Sequence, residues 1–303
     1  MYTVLSKTQQ HSKSNIFYHI EAIIISSIWG ITFVSTKVLM AHGLGPEEIM
    51  LLRFILAYIF IWTISPRKFW ADKLKDEFLM LVLGMTGGSF YFLAENIALQ
   101  YTQASDVSIL LSIIPLLSAL VAPIFFKAEH ITKSLIIGAV VALVGVGLVV
   151  MNEHAQFNPN PIGDILVIAA SVMWVIYGLI TKRLGSSYSS TFITRKVFFY
   201  GILTILPAFP IMGTGFHPEA LTHLTVILNL LFLGLVASFW CYLSWNRVID
   251  KIGVVTSNNY LYLSPLATFI FSATVLDERI TLEAIFGSLL ILVGVVFAQK
   301  KLS

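Results

Sequence analysis

Apolar residues along the chain come in blocks of about twenty, each closed by Pro, Gly, Asn or a cluster of charges. A helix rising about 1.5 Å per residue needs about that many residues to cross a hydrocarbon layer about 30 Å thick. The blocks predict helices over residues 20–40, 47–65, 79–99, 105–126 and 134–151, and then over 163–183, 195–212, 226–247, 254–276 and 283–299. No long polar stretch separates them, so the pattern predicts an all-α membrane protein of ten transmembrane helices without a soluble domain. The first block follows Lys7 and Lys13, as in a secretory signal, yet it has full spanning length and no small-residue cleavage site follows it. It is read as the first span, behind a cytoplasmic tail over residues 1–16.

Composition agrees. Apolar residues make up 57% of the 303-residue chain and charged ones 12%, against about 25% charged in an ordinary soluble domain, and the mean hydropathy is +0.86. A water-soluble fold is excluded. The single Cys241 rules out an intramolecular disulfide. The net charge of +3 does not point to nucleic acid, because the charges divide by connection. Lys7 and Lys13, Arg67, Lys68, Lys73 and Lys75, Lys127 and Lys133, Lys182, Arg183, Arg195 and Lys196, Arg247 and Lys251, and Lys300 and Lys301 fall on alternate connections or the tails. Only Lys37, Arg53 and Arg279 of the 19 basic residues remain. Basic loops are retained in the cytoplasm, so both termini are expected on the cytoplasmic side of a bacterial inner membrane.

The two halves match in order. Ser26, Trp29, Thr36 and Lys37 recur as Ser171, Trp174, Thr181 and Lys182, and Arg53 and Tyr58 as Arg195 and Tyr200. Gly84, Phe92 and Asn96 recur as Gly234, Tyr242 and Asn246, Pro115 as Pro265, and Gly138 and Gly145 as Gly287 and Gly294. With five spans per half, the second copy enters the membrane upside down, which specifies two inverted repeats over residues 17–151 and 163–299.

These features resemble the drug/metabolite transporter superfamily, and within it the EamA family of ten-span permeases. The residues carrying the resemblance are S-I-W-G-I-T-F at Ser27 to Phe33, A-L-Q-Y-T-Q-A-S at Ala98 to Ser105, and S-I-I-P-L-L-S-A-L at Ser112 to Leu120 with its counterpart Y-L-S-P-L-A-T at Tyr262 to Thr268. Each half also closes with E-x-I-T and a Gly-rich span. The resemblance covers residues 17 to 299. It implies a permease that moves small metabolites such as amino acids, often outward, by alternating access through a cavity lined by both halves.

An ionisable side chain inside a span is costly unless it meets a partner or a cavity. Glu95 is the clear acidic case, and Arg53 lies at similar depth in the preceding span. Two readings stand: the pair neutralise each other and lock the second and third spans, or Glu95 receives a substrate amine or a proton. Near mid-span, Trp29, Tyr91, Ser112, Trp174, Tyr177, Trp240, Asn259 and Tyr262 offer aromatic faces and neutral hydrogen-bonding atoms suited to an amphipathic solute. The competing reading places the aromatics in interfacial belts and returns Ser hydroxyls to their own helices. Pro115 and Pro265, mid-span in matched helices, predict kinks that are either static or hinges.

A membrane-embedded enzyme would need clustered His, Asp or Cys, but the His residues all fall in tails, loops or span edges. G-M-T-G-G-S at 84–89 lacks the Lys of a phosphate loop, and no cofactor is expected. A channel would need charged rings or a carbonyl filter, which the sequence does not display. The partners expected are a small-molecule substrate and the lipid bilayer, with Glu95 as the group through which proton coupling would act.

Overall fold

The computed structural model describes residues 2–65, 69–127, 131–150, 161–275 and 282–298. The basic residues Arg67, Lys68, Arg279, Lys300 and Lys301, and the Glu of each closing E-x-I-T, lie outside the described residues. All regular structure among the described residues is helical. Among the described residues, six rods are long and apolar enough to cross a membrane: Ile16–Ala41, Leu74–Tyr101, Ala104–Phe125, Pro161–Gly185, Ser190–Met212 and Leu224–Ile252.

Helix α1 runs Tyr2–Ala41, starting earlier than the apolar block because no Gly or Pro interrupts residues 2–19. It stops at Gly43, whose φ of 92° only glycine adopts without strain. Gly43 N–H donates to Met40 O and Leu44 N–H to Leu39 O, the paired closure that satisfies the last carbonyls of a helix. Pro46 then opens α2 (Pro46–Ile64), with Glu47 and Glu48 against the positive helix start.

The third rod comprises α3 (Leu74–Gly84), a π-helical segment (Met85–Ser89) and α4 (Phe90–Tyr101). The fourth is α5 (Ala104–Leu111) and α6 (Ile114–Phe125), and the next helix is α7 (Lys133–Val150). In the second half, α8 covers Pro161–Gly185 and α9 covers Ser190–Ile205, capped by Ser189 Oγ accepting from Phe192 N–H at 3.3 Å. Helix α10 (Ala208–Met212) ends on left-handed Gly213 and a short 3-10 turn (Pro218–Thr222) follows. Then come α11 (Leu224–Leu231), a second π segment (Phe232–Trp240) and α12 (Cys241–Ile252). The chain closes through α13 (Val254–Asn258), a 3-10 segment (Asn259–Leu263), α14 (Ser264–Val275) and α15 (Leu282–Ala298).

The expected proline kinks occur as breaks. The α5–α6 rod is interrupted at Ser112–Ile113, where Ser112 N–H and Ile113 N–H turn to Ile109 O and Leu110 O, and Pro115 sits in the first turn of α6. Pro265 sits in the first turn of α14, behind the 3-10 segment. Helix α1 crosses α14 there so closely that a Cβ on Gly30 would lie 2.2 Å from Ser264 O. Ser264 Oγ donates to Ser26 O at 3.2 Å and Thr268 Oγ1 to Gly30 O at 2.8 Å, fixing the crossing by side-chain bonds to the backbone.

Helices α7 and α15 form the most extensive seam among the described residues. They run antiparallel with backbones in contact: a Cβ on Gly145 would meet Gly287 O at 2.6 Å, and one on Gly294 would meet Gly138 O and Ala142 N, both at 2.6 Å. Gly294→Ala is therefore expected to lose about 1–3 kcal/mol by overpacking. Gly147→Ala, whose Cβ meets nothing within 4 Å, should leave the melting temperature in detergent unchanged or raised. Equal melting temperatures for the two variants would contradict the seam.

Candidate functional site

At mid-bundle, residues from α1, α2, α4, α5, α8, α12 and the α13–α14 break enclose a cavity. Its unfilled space is about 40 Å³, room for about three water molecules. One wall is aromatic. The Trp29 ring stands edge-on to Trp174 at 5.1 Å and to Trp245 at 4.9 Å, with Tyr242 at 5.9 Å, and Tyr91 lies 5.2 Å from Trp174. The other wall holds the charges Arg53 and Glu95, 1% and 3% exposed.

The irregular helix segments hold these side chains in place. Trp29 Nε1–H donates to Ala237 O at 3.0 Å and Arg53 Nε to Ser238 Oγ at 2.9 Å, both partners lying in the second π segment. Tyr242 Oη donates to Gly87 O at 2.7 Å, in the first π segment. Gly84 and Gly87 allow this rod to approach its neighbours: a Cβ on Gly84 would lie 2.3 Å from Tyr200 Cβ, and one on Gly87 2.2 Å from the Tyr177 ring. A π turn resets helical register by one residue, so each segment aims side chains that a regular helix would carry elsewhere.

Arg53 and Glu95 share the cavity without forming an ion pair. Ion pairs among the described residues include Lys196–Glu77, Lys251–Asp250 and His217–Glu48. The Arg53 guanidinium instead lies 4.2 Å above the Phe92 ring, and its Nη1 has no hydrogen-bond partner among the described residues. Glu95 sits one turn along α4 from Tyr91, whose hydroxyl approaches its carboxylate. An unpaired guanidinium donor and a carboxyl facing one small aromatic chamber can hold a solute with an anionic group, a cationic group and an apolar body.

Of the residues singled out in the sequence, Trp29, Arg53, Tyr91, Glu95 and Trp174 line this cavity. Tyr177 lies one layer behind it, its ring 5.0 Å from Trp174 and its hydroxyl donating to Asn246 Oδ1 at 2.5 Å, while Asn246 Nδ2 donates to Thr194 Oγ1 at 2.8 Å. Ser112 Oγ returns to Ser108 O at 3.2 Å, within its own rod. Asn259 and Tyr262 are wholly buried, outside the cavity wall, and their side-chain polar atoms have no hydrogen-bond partner among the described residues. Trp240, the last residue of the second π segment, is 36% exposed on the outer surface of the bundle and away from the wall. Mid-span depth does not say which way a side chain faces, and the π segment shifts the register here. Phe33, Phe92 and Tyr242 are the aromatic wall residues that the mid-span reading passed over. The repeat match of Phe92 with Tyr242 was the signal that could have found two of them.

A family profile described as the EamA-like transporter family matches residues 16–151 and again 161–299. The chain is 28% identical over 282 residues to an uncharacterized transporter of Archaeoglobus fulgidus, covering 91% of this chain and 96% of the relative. It is 27% identical to a probable terminal-alkyne amino-acid exporter of Streptantibioticus cattleyicolor, covering 90% of each chain. It is 22% identical to a probable amino-acid metabolite efflux pump of Escherichia coli K12, covering 90% of this chain and 91% of the relative. A solved crystal structure shares the fold with a TM-score of 0.73 at 15% identity, covering 95% of this chain and 96% of that one.

The buried Tyr177–Asn246–Thr194 network makes a test separate from transport. Tyr177→Phe would leave the Asn246 oxygen without its donor and cost about 1–3 kcal/mol, read as a lower melting temperature. An unchanged melting temperature would show that the network contributes nothing.

Proposed function

The chain belongs to the EamA-like transporter family, and on that premise we propose that it is a secondary carrier that exports small zwitterionic metabolites of the amino-acid type across a bacterial inner membrane. The observation that carries this reading is the pairing of an unpartnered Arg53 Nη1 with Glu95 in one aromatic chamber. Arg53 would take a carboxylate, Glu95 an ammonium, and the Trp29–Trp174–Tyr91 wall an apolar side chain. Two relatives carry amino-acid export in their names, which supports the same class. The chamber as it stands holds only a few waters, so loading a solute requires the surrounding rods to part. Breaks at Ser112–Ile113 and at Asn259–Leu263, beside Pro115 and Pro265, supply places where two of those rods can bend.

The same reading takes the bundle as ten spans in two inverted halves with the basic ends of the rods in the cytoplasm. The neighbour relations support it. α1 packs on α14 and α8 on α5 and α6, α2 on the second π segment and α9 on the first, and α7 on α15. Exchanging the halves reproduces this list, which is the pattern that an in-plane two-fold axis generates.

Counterflow of labelled neutral amino acids into proteoliposomes tests the proposal. Saturable uptake accelerated by internal substrate is the expected result for a carrier, and non-saturating conductance would make the protein a channel. Arg53→Gln should weaken apparent affinity by about tenfold to a hundredfold, the worth of one hydrogen bond to a charged group. It should also abolish discrimination between an amino acid and its methyl ester. A variant that still rejects the ester would remove Arg53 from the carboxylate. Glu95→Gln separates the amine and proton roles: loss of affinity at every pH supports the first, loss of pH-dependent transport alone supports the second.

A further inference from the structure

The two ends of the bundle are fastened differently. At the end away from the basic loops, the chain leaves α10 at Gly213 and reaches α11 through His223. Thr214 N–H closes that helix onto Phe209 O at 3.1 Å, and Phe216 stacks back on Phe209 with ring centroids 4.8 Å apart. The segment then crosses the start of α2, a helix of the other half. His217 gives both its backbone N–H and its ring Nδ1 to the Glu48 carboxylate, each at 2.9 Å. Three residues on, Ala220 is buried with Leu39, Leu44 and Val226. Glu48 is 2% exposed, but His217 is 43% exposed. The other groups facing the imidazole are Glu47 from α2 and Glu219 from the 3-10 turn. Next along the surface, His223 meets His42, at the end of α1, ring to ring at 5.6 Å.

At the basic end the fastening is buried. Lys196 of α9, 1% exposed, is ion-paired with Glu77 of α3, and the same carboxylate accepts from Tyr200 Oη and from Ala71 N–H. Phe69 and Trp70 cover the ammonium with ring centroids at 4.6 and 4.7 Å. A charged pair enclosed by rings is shielded from solvent, whereas a half-exposed one is weak and open to titration.

We propose that the segment from Gly213 to His223 is a strap that closes the outer mouth of the carrier, fastened by His217 on Glu48, and that it is the weaker and acid-favoured of two unequal gates. The proposal rests on the carrier reading and its orientation. Glu48 raises the affinity of His217 for its proton, chiefly through the hydrogen bond between them. Because the fastened value is raised, the ionic contribution is complete below about 6.5, the ordinary histidine value, and is lost as pH rises through the fastened one. The outer mouth therefore loosens as the outside becomes alkaline, while the buried Lys196–Glu77 closure at the inner end does not respond to external pH.

Sided labelling tests this without a substrate. With Cys241 replaced by Ala, Leu111→Cys places one thiol in the cavity wall, and a membrane-impermeant maleimide is applied to right-side-out or inside-out vesicles. Labelling from the outer face should rise by up to about fivefold, the worth of one half-exposed ion pair, between about pH 5 and pH 8, after correction for thiol ionisation with a free-thiol standard. His217→Ala and Glu48→Gln should show the raised rate throughout, and His217→Gln, which keeps a donor that cannot titrate, should remove the pH dependence. Glu77→Gln, or Tyr200→Phe if that variant does not fold, should raise labelling from the inner face alone. Outer-face labelling that ignores pH and is unchanged in His217→Ala of parental melting temperature would overturn the strap. A rise seen only from the inner face would overturn it equally. Such a result leaves counterflow untouched, and a strap that passes in a protein moving no amino acid would fault the substrate reading instead.

Discussion

Hydrocarbon offers no partner to a peptide N–H or C=O, so a spanning chain must satisfy its backbone internally. That constraint makes every rod of this molecule helical, and it also governs the places where the helix is imperfect. Two π segments and two interrupted rods lie around one chamber. Their irregular backbone is tied into the cavity wall by the indole of Trp29 on Ala237 O and the phenol of Tyr242 on Gly87 O. The side chains that shape the chamber are thus also part of the accounting that lets the backbone be irregular at this depth.

The same low dielectric decides how the charges behave. A guanidinium buried beside a carboxyl would ordinarily close onto it, since an unpaired buried charge is costly. Here Arg53 is supported by the Ser238 hydroxyl and by the Phe92 face, while one of its terminal nitrogens remains without a partner among the described residues. Those interactions offset part of the burial cost and leave a polar group available to an incoming solute. Lys196 shows the alternative outcome: ringed by aromatics and bonded to Glu77, its charge is spent on holding the fold.

Much of this was legible in the chain. Block length gave the rods, because hydrocarbon thickness fixes it, and mid-span depth brought Trp29, Tyr91, Trp174, Arg53 and Glu95 into consideration. The reading lost accuracy where mid-span depth alone was taken to say which way a side chain faces. Trp240 closes a π segment and turns outward, and Asn259 and Tyr262 sit in a 3-10 turn that leaves them off the wall. The choice between an Arg53–Glu95 ion pair and an open site was undecidable from spacing alone. It depends on Ser238 and Phe92, which arrive from elsewhere in the chain and nowhere adjoin Arg53 in sequence.

The seam between α7 and α15 has a property beyond tightness. Gly138 faces Gly294 and Gly145 faces Gly287, so each helix presents the other with the same pair of glycines read in opposite directions. Such a contact is isologous: it is the surface that two identical chains would use to meet about a two-fold axis.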